Sequence, residues 1–126
     1  MVDLSDWIVL VVEDERDSVQ VISEILTHYG VEVYTARNGY ECLDMLQEFE
    51  PTLIVMDLAM PELDGWQTLM EIRANPDTAH IPVVAVTAYH SANVAQDALH
   101  AGFNAYFPKP LHPTQFVEDI VDLIAP

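Results

Sequence analysis

At 126 residues the chain has the length of one domain and can bury a core without disulfides or a structural metal. Hydrophobic residues make up 51% and charged residues 20%, with no low-complexity tract and no solenoid-length repeat, which excludes a disordered or repeat protein. Four Lys and Arg against 21 Asp and Glu leave a net charge of −17, which argues against direct binding to nucleic acid or anionic membranes; the same acidity also serves solubility or a salty habitat.

The single cysteine, Cys42, has no partner for an internal disulfide, and Met1 to Asp6 has neither the basic start nor the apolar core of a signal peptide. No apolar run approaches the roughly 18 residues needed to span a bilayer. A cytoplasmic location is the expectation.

In chain order, Ile8 to Val12 is a continuous apolar run and predicts a strand covered on both faces. Val21, Ile22, Ile25, Leu26 and Tyr29 then recur at helical spacing, with Gly30 as a stop. Val31 to Ala36 predicts a second strand. Tyr40, Leu43, Leu46 and Phe49 predict a helix ending before Pro51, and Thr52 to Met56 a third strand. Leu69 and Ile72 mark a helix ending before Pro76, and Pro82 to Thr87 a fourth strand. Val94, Ala98 and Leu99 mark a weaker helix closed by Gly102, and Ala105 to Phe107 a fifth strand. Phe116, Val117, Ile120, Val121 and Ile124 mark the last helix, entered through Pro113 and Thr114.

Five strands alternating with five helices imply right-handed parallel crossovers and an α/β fold, a doubly wound (βα)5 sandwich. The expected sheet is five-stranded, parallel and flavodoxin-like, of order 2-1-3-4-5. In such sheets ligands bind outside the carboxyl ends of the strands. Those ends deliver Glu13 and Asp14, then Asp57, then Thr87, then Lys109; the second strand delivers only Thr35, Arg37 and Asn38. Asp14 alone also suits a cap for the first helix. The carboxylates need a cation, because each pair at about 4 Å and an effective dielectric near about 20 repels by about 4 kcal/mol. A hard dication suits their oxygen ligands.

The segments Val11-Val-Glu-Asp14, Asp57-Leu-Ala-Met-Pro-Glu-Leu-Asp-Gly65, Val86-Thr-Ala88 and Tyr106-Phe-Pro-Lys-Pro110 resemble, in order and spacing, the response-regulator receiver domains of two-component systems. The resemblance spans roughly Trp7 to Ile124 and implies one receiver domain over residues 1–126. It implies that Asp57 is the phosphoacceptor, taking a phosphoryl group from a phosphohistidine of a sensor histidine kinase or histidine phosphotransferase. Mg²⁺ would be held by Asp14, Asp57 and the backbone carbonyl of Ala59, with Glu13 acting through water. Glu13 stands where many receivers have Asp. Lys109 would pair with the phosphoryl oxygens, before a cis peptide to Pro110, and Thr87 would donate its hydroxyl after transfer. Ala88 leaves room for the phosphoryl group, while Ala59 and Tyr89 modulate how water reaches it.

By the same resemblance Tyr106 is a switch residue, with ordinary strand packing as its alternative, and the output face is helix four, strand five and helix five, about Ser91 to Ile124. That face would control a downstream protein target, as a monomer or a phosphorylation-linked dimer. The donor would dock near Arg16 to Ile22, where Val19 and Val21 lie, although core packing is the expected place for Val21. The chain is thus read as a phosphoacceptor that catalyses its own phosphorylation and slow dephosphorylation, not an enzyme acting on other substrates.

His28, His80, His90, His100 and His112 lack a zinc-like spacing and carry no expected ligand role. Trp7 and Trp66 are expected to pack, Trp66 with part of its ring exposed as a contact. Three competing readings stand beside the main one. The chain is a receiver cut from a larger regulator or hybrid kinase, Ile124 to Pro126 then beginning a linker; or it is a phosphate-independent pseudo-receiver; or it is a haloacid-dehalogenase-type phosphatase. The intact acid, Thr and Lys set opposes the second, and Ala59, where the third needs an Asp, opposes that one.

Overall fold

A computed structural model describes residues 3–89 and 91–124. Strands β1 (Ile8–Val12), β2 (Glu32–Ala36), β3 (Leu53–Asp57), β4 (Val83–Thr87) and β5 (Ala105–Pro108) alternate with helices α1 (Arg16–Thr27), α2 (Gly39–Met45), α3 (Gly65–Ala74), α4 (Ala92–Ala101) and α5 (Pro113–Ile124). All strand pairs are parallel, and the order is β2-β1-β3-β4-β5, as expected.

Every residue of β3 and β4, and Val9 to Val12 of β1, is buried, which is why these segments read as continuous apolar runs. Alternate side chains feed two cores. Val9, Val11, Leu53, Val55, Val84 and Val86 meet Ile22, Ile25 and Leu26 of α1 and Phe116, Val117 and Ile120 of α5. On the other face, Leu10, Val12, Ile54, Met56, Val83 and Ala85 meet Cys42, Leu69, Ile72 and Ala98 of α2, α3 and α4. Burial pushes the Cys42 thiol up to about 12, so it stays a neutral packing group.

Local chemistry sets the helix ends. Asn38 accepts the Glu41 N–H, Asp64 the Gln67 N–H and Ser91 the Val94 N–H as N-caps. Gly102 closes α4 in the left-handed region at φ 115°. Arg73 clamps the end of α3 to its surroundings, donating to the carbonyls of Ala79, Ile81 and Gly102 and to Asn104 Oδ1 at 2.7 to 3.3 Å.

Some expectations are corrected. α2 ends at Met45, not just before Pro51; the N–H groups of Gln47, Glu48 and Phe49 bond back to Asp44 and Met45 in tightening turns, and the Phe49 ring packs at a tilt against Tyr34, centroids 5.0 Å apart. Tyr40 is exposed because Gly39 and Cys42, not Tyr40, face the core. Val21 is 50% exposed, since the buried stripe of α1 runs through Ile22, Ile25 and Leu26. Leu99 is likewise exposed beside buried Ala98. Trp7 and Trp66 pack as expected, Trp66 edge-on to Phe103 at 5.8 Å. Ala125 and Pro126, the proposed linker start, lie outside the described residues, as does His90.

Ile120→Ala removes a fully buried side chain of α5 and is expected to lower unfolding free energy by about 2–5 kcal/mol. Tyr40→Ala, at an exposed position, should stay within about 0.5 kcal/mol; urea titration compares the two.

Candidate functional site

Four strand ends converge on one polar cleft. β1 releases Glu13 and Asp14, β3 ends on Asp57, β4 on Thr87, and Lys109 follows β5, its backbone N–H donating to the Thr87 carbonyl at 2.8 Å. The β3 end is fixed by a close approach. A Cβ at Gly65 would stand 2.5 Å from the Asp57 carbonyl oxygen, so glycine lets α3 start directly against that strand. Asp64 caps the same helix, which accounts for the Asp-Gly step of the motif.

Glu13 is buried although it is charged, and its carboxylate is fully engaged. Its Oε1 accepts from Lys109 Nζ, and its Oε2 from the backbone N–H groups of Asp14 and Glu15 at 3.1 and 3.3 Å. Lys109 Nζ also lies 3.7 Å from Asp57 Oδ2 and donates to Ser18 Oγ at 3.2 Å. The lysine is therefore an internal counter-charge, not a solvated surface group. Burial, and next the neighbouring Asp57 carboxyl, push the Glu13 carboxyl above its usual range against the pull of Lys109.

Asp14 is exposed and does not cap α1, whose N-cap is Glu15 with no side-chain cap bond. Glu13, Asp14 and Asp57 each present a carboxylate oxygen within 4.8 Å of the others. An all-oxygen set with one solvent-facing member matches a hard dication better than a zinc-type ion. Asp57 Oδ1 accepts from the Ala59 N–H at 3.2 Å, and Ala59 is exposed at the same mouth.

Thr87 is buried, its Oγ accepting the Tyr89 N–H at 3.1 Å. Asp14, Asp57, Ala59, Ala88, Tyr89 and Lys109 line a cavity of about 340 Å³, with the Tyr89 ring 73% exposed. Tyr106 pairs with Ala85 on β4 and is half-buried against the core that contains Ala98. The Lys109–Pro110 peptide is cis, as expected. The structure thus brings together Glu13, Asp14, Asp57, Thr87 and Lys109, and places Tyr106 on β5 opposite Ala85. It adds Ser18, which sequence spacing had not singled out because the contact spans 91 residues.

Beside the acidic cleft lies a second, largely apolar cavity of about 410 Å³, lined by Ser18, Val21, Ile22, Ala88, Lys109 and Leu111 among others. The exposure of Val21 is explained by its place on this wall. Among the described residues no helix is long and apolar enough to cross a membrane.

Comparison with known proteins is consistent across sequence and structure. The family described as response regulator receiver domain matches residues 9–121. The chain is 33% identical over 112 residues to the polar-differentiation response regulator DivK of Brucella anthropi, covering 89% of this chain and 91% of that one. It is 36% identical over 117 residues to an uncharacterized 14.6 kDa protein of Leptolyngbya boryana, covering 93% and 89% of the two chains. Among solved structures it is similar to a putative response regulator from Chloroflexus aurantiacus, at TM-score 0.90 and 26% identity, over 95% of this chain and 98% of that one. It is also similar to the receiver domain of the Pseudomonas aeruginosa sensor histidine kinase PA1611, whose structure has a magnesium ion coordinated in the active site cleft. There the TM-score is 0.87 and identity 28%, again over 95% and 98%.

Lys109→Met would leave Glu13 buried without its counter-charge, a loss of about 3 kcal/mol in metal-free buffer at pH 8. A carboxyl raised in the folded state binds its proton more readily there than when unfolded, so the stability it contributes is present below about 4.5 and lost as pH rises through the folded value. The penalty should therefore shrink from pH 8 to pH 5 in urea unfolding. A penalty independent of pH would contradict this picture of Glu13.

Proposed function

The chain belongs to the response regulator receiver domain family, whose members are in general signalling modules and not enzymes, and from that premise we propose that it is a single receiver domain, residues 1–126, with Asp57 as phosphoacceptor. The observation that carries this reading is the Lys109 ammonium held between Glu13 and Asp57, beside three carboxylates gathered for a cation. Receivers in general work with histidine kinases or histidine phosphotransferases upstream and with protein targets downstream. The donor here is a phosphohistidine of that kind.

Asp14 and Asp57 would hold Mg²⁺ with the Ala59 backbone carbonyl, Glu13 acting through water. When bound, the ion offsets carboxylate repulsion and draws charge from the phosphoryl oxygens. An Asp57 carboxylate oxygen attacks phosphorus, forming an O–P bond as the P–N bond of the donor breaks. The bonding pair stays with the imidazole nitrogen, and the proton on the other ring nitrogen keeps the departing ring neutral. Lys109 donates its remaining N–H in a hydrogen bond to a phosphoryl oxygen, so positioning and charge neutralisation supply most of the catalysis.

After transfer the acyl phosphate carries about −1.5 to −2 charges beside Thr87, in place of the single charge of the carboxylate. The Thr87 oxygen accepts from Tyr89 N–H while its own proton remains to donate to the phosphoryl group. Drawing that hydroxyl inward makes room for Tyr106 to turn in and carries the change to the α4-β5-α5 face, which controls a protein partner. Ala88 leaves space for the phosphoryl group. Tyr89 shields it, so self-dephosphorylation is slow. The donor docks over α1 and the apolar cavity that Val21 lines.

Mg²⁺ at ten times its dissociation constant should stabilise the fold by about 1.4 kcal/mol, a rise of about 5 °C in Tm, lost in Asp14→Asn. With Mg²⁺ and beryllofluoride the wild type should form an adduct read by intrinsic fluorescence, and with acetyl phosphate one read by mass. Asp57→Asn should form neither, and Tyr89→Ala should lose phosphate faster. An equal adduct on Asp57→Asn would sink the proposal.

A further inference from the structure

Lys109 is the chain's one lysine, and its ammonium has three N–H donors to place in a cleft where the side chain is 18% exposed. One donor goes to Glu13 and a second to Ser18 Oγ at 3.2 Å. Asp57 Oδ2, at 3.7 Å, lies beyond hydrogen-bond length, so the third donor remains for Asp57 or for whatever Asp57 carries.

Ser18 has no local task that accounts for this contact. A serine near a helix start often bonds the local backbone, but α1 begins at Arg16 after the N-cap Glu15, with no side-chain cap bond, and Ser18 Oγ engages Lys109 across the fold instead. On its other side Ser18 lines the apolar cavity with Val21, Ile22, Ala88 and Leu111. Lys109 lines the same cavity, as do Glu15 and Asp17, and Ser18 is the member of that wall that accepts from the lysine.

We propose that Ser18 is a positioning residue for Lys109, and this rests on the reading of Asp57 as phosphoacceptor. Its hydroxyl is a second anchor beside Glu13 that fixes the direction of the remaining N–H, so the phosphoryl group meets a lysine already oriented. Ser18 touches neither the phosphoryl group nor a small phosphodonor, and it acts through Lys109 alone. A donor protein seated on the apolar cavity would press on the same side chain, which links docking to the lysine.

The full-length protein is labelled with ¹⁵N-lysine, which gives one Nζ resonance, and Ser18→Ala and Ser18→Thr are compared with wild type. With acetyl phosphate at saturating Mg²⁺, Ser18→Ala is expected to lose about tenfold in the single-turnover rate constant of Asp57 phosphorylation. The Lys109 Nζ resonance should move or broaden in Ser18→Ala. Ser18→Thr, which keeps the hydroxyl, should recover most of the rate and the resonance. A wild-type phosphorylation rate constant together with an unmoved resonance in Ser18→Ala would overturn the proposal. So would a loss seen only with a protein phosphohistidine donor, which would make Ser18 a docking contact. Should wild type take up no phosphoryl group, the reading of Asp57 fails, while the Nζ resonance still decides whether Ser18 holds the lysine.

Discussion

One ammonium group facing buried carboxylate is the constraint on which the cleft depends. Glu13 lies out of water among strand ends, where an unpaired charge costs several kcal/mol. Lys109 answers it from the far end of the sequence, and two backbone N–H groups complete the shell. The same ammonium stands 3.7 Å from Asp57, so the contact that holds Glu13 also places a positive charge beside Asp57. On the proposed function, stability and chemistry draw on that one contact.

The rest of the fold delivers these groups to one place. A parallel sheet sends the ends of all its strands to one edge, and the order β2-β1-β3-β4-β5 puts β1, β3 and β4 side by side beneath the cleft. Gly65 lets α3 begin against the end of β3, and Asp64 secures its first turn. At the opposite edge Arg73 ties α3 to the loops around β4 and β5.

Much of this was legible in the sequence because each strand is covered on both faces and its end residue breaks an apolar run. Val12 to Glu13, Met56 to Asp57 and Lys109 before Pro110 are such breaks. Helix existence followed from spacing, but the early end of α2 did not, since Leu46 and Phe49 keep helical spacing while the backbone tightens into turns. Val21 looked like core for the same reason; which side of an apolar stripe faces solvent depends on where the neighbouring helix sits. Ser18 and the pairing of Glu13 with Lys109 were out of reach, because contacts across more than 90 residues leave no periodic trace.

The cleft therefore joins Asp57, a cluster of carboxylates suited to a cation and an anchored positive charge at one edge of the sheet. Whether Asp57 is the group that accepts phosphate is tested most directly by trapping. The protein is incubated with Mg²⁺ and acetyl phosphate, reduced with borohydride to convert an acyl phosphate to homoserine, and mapped by peptide mass. Homoserine at residue 57, absent without Mg²⁺, is the expected result; homoserine at another carboxylate, or none with the protein folded, would contradict it.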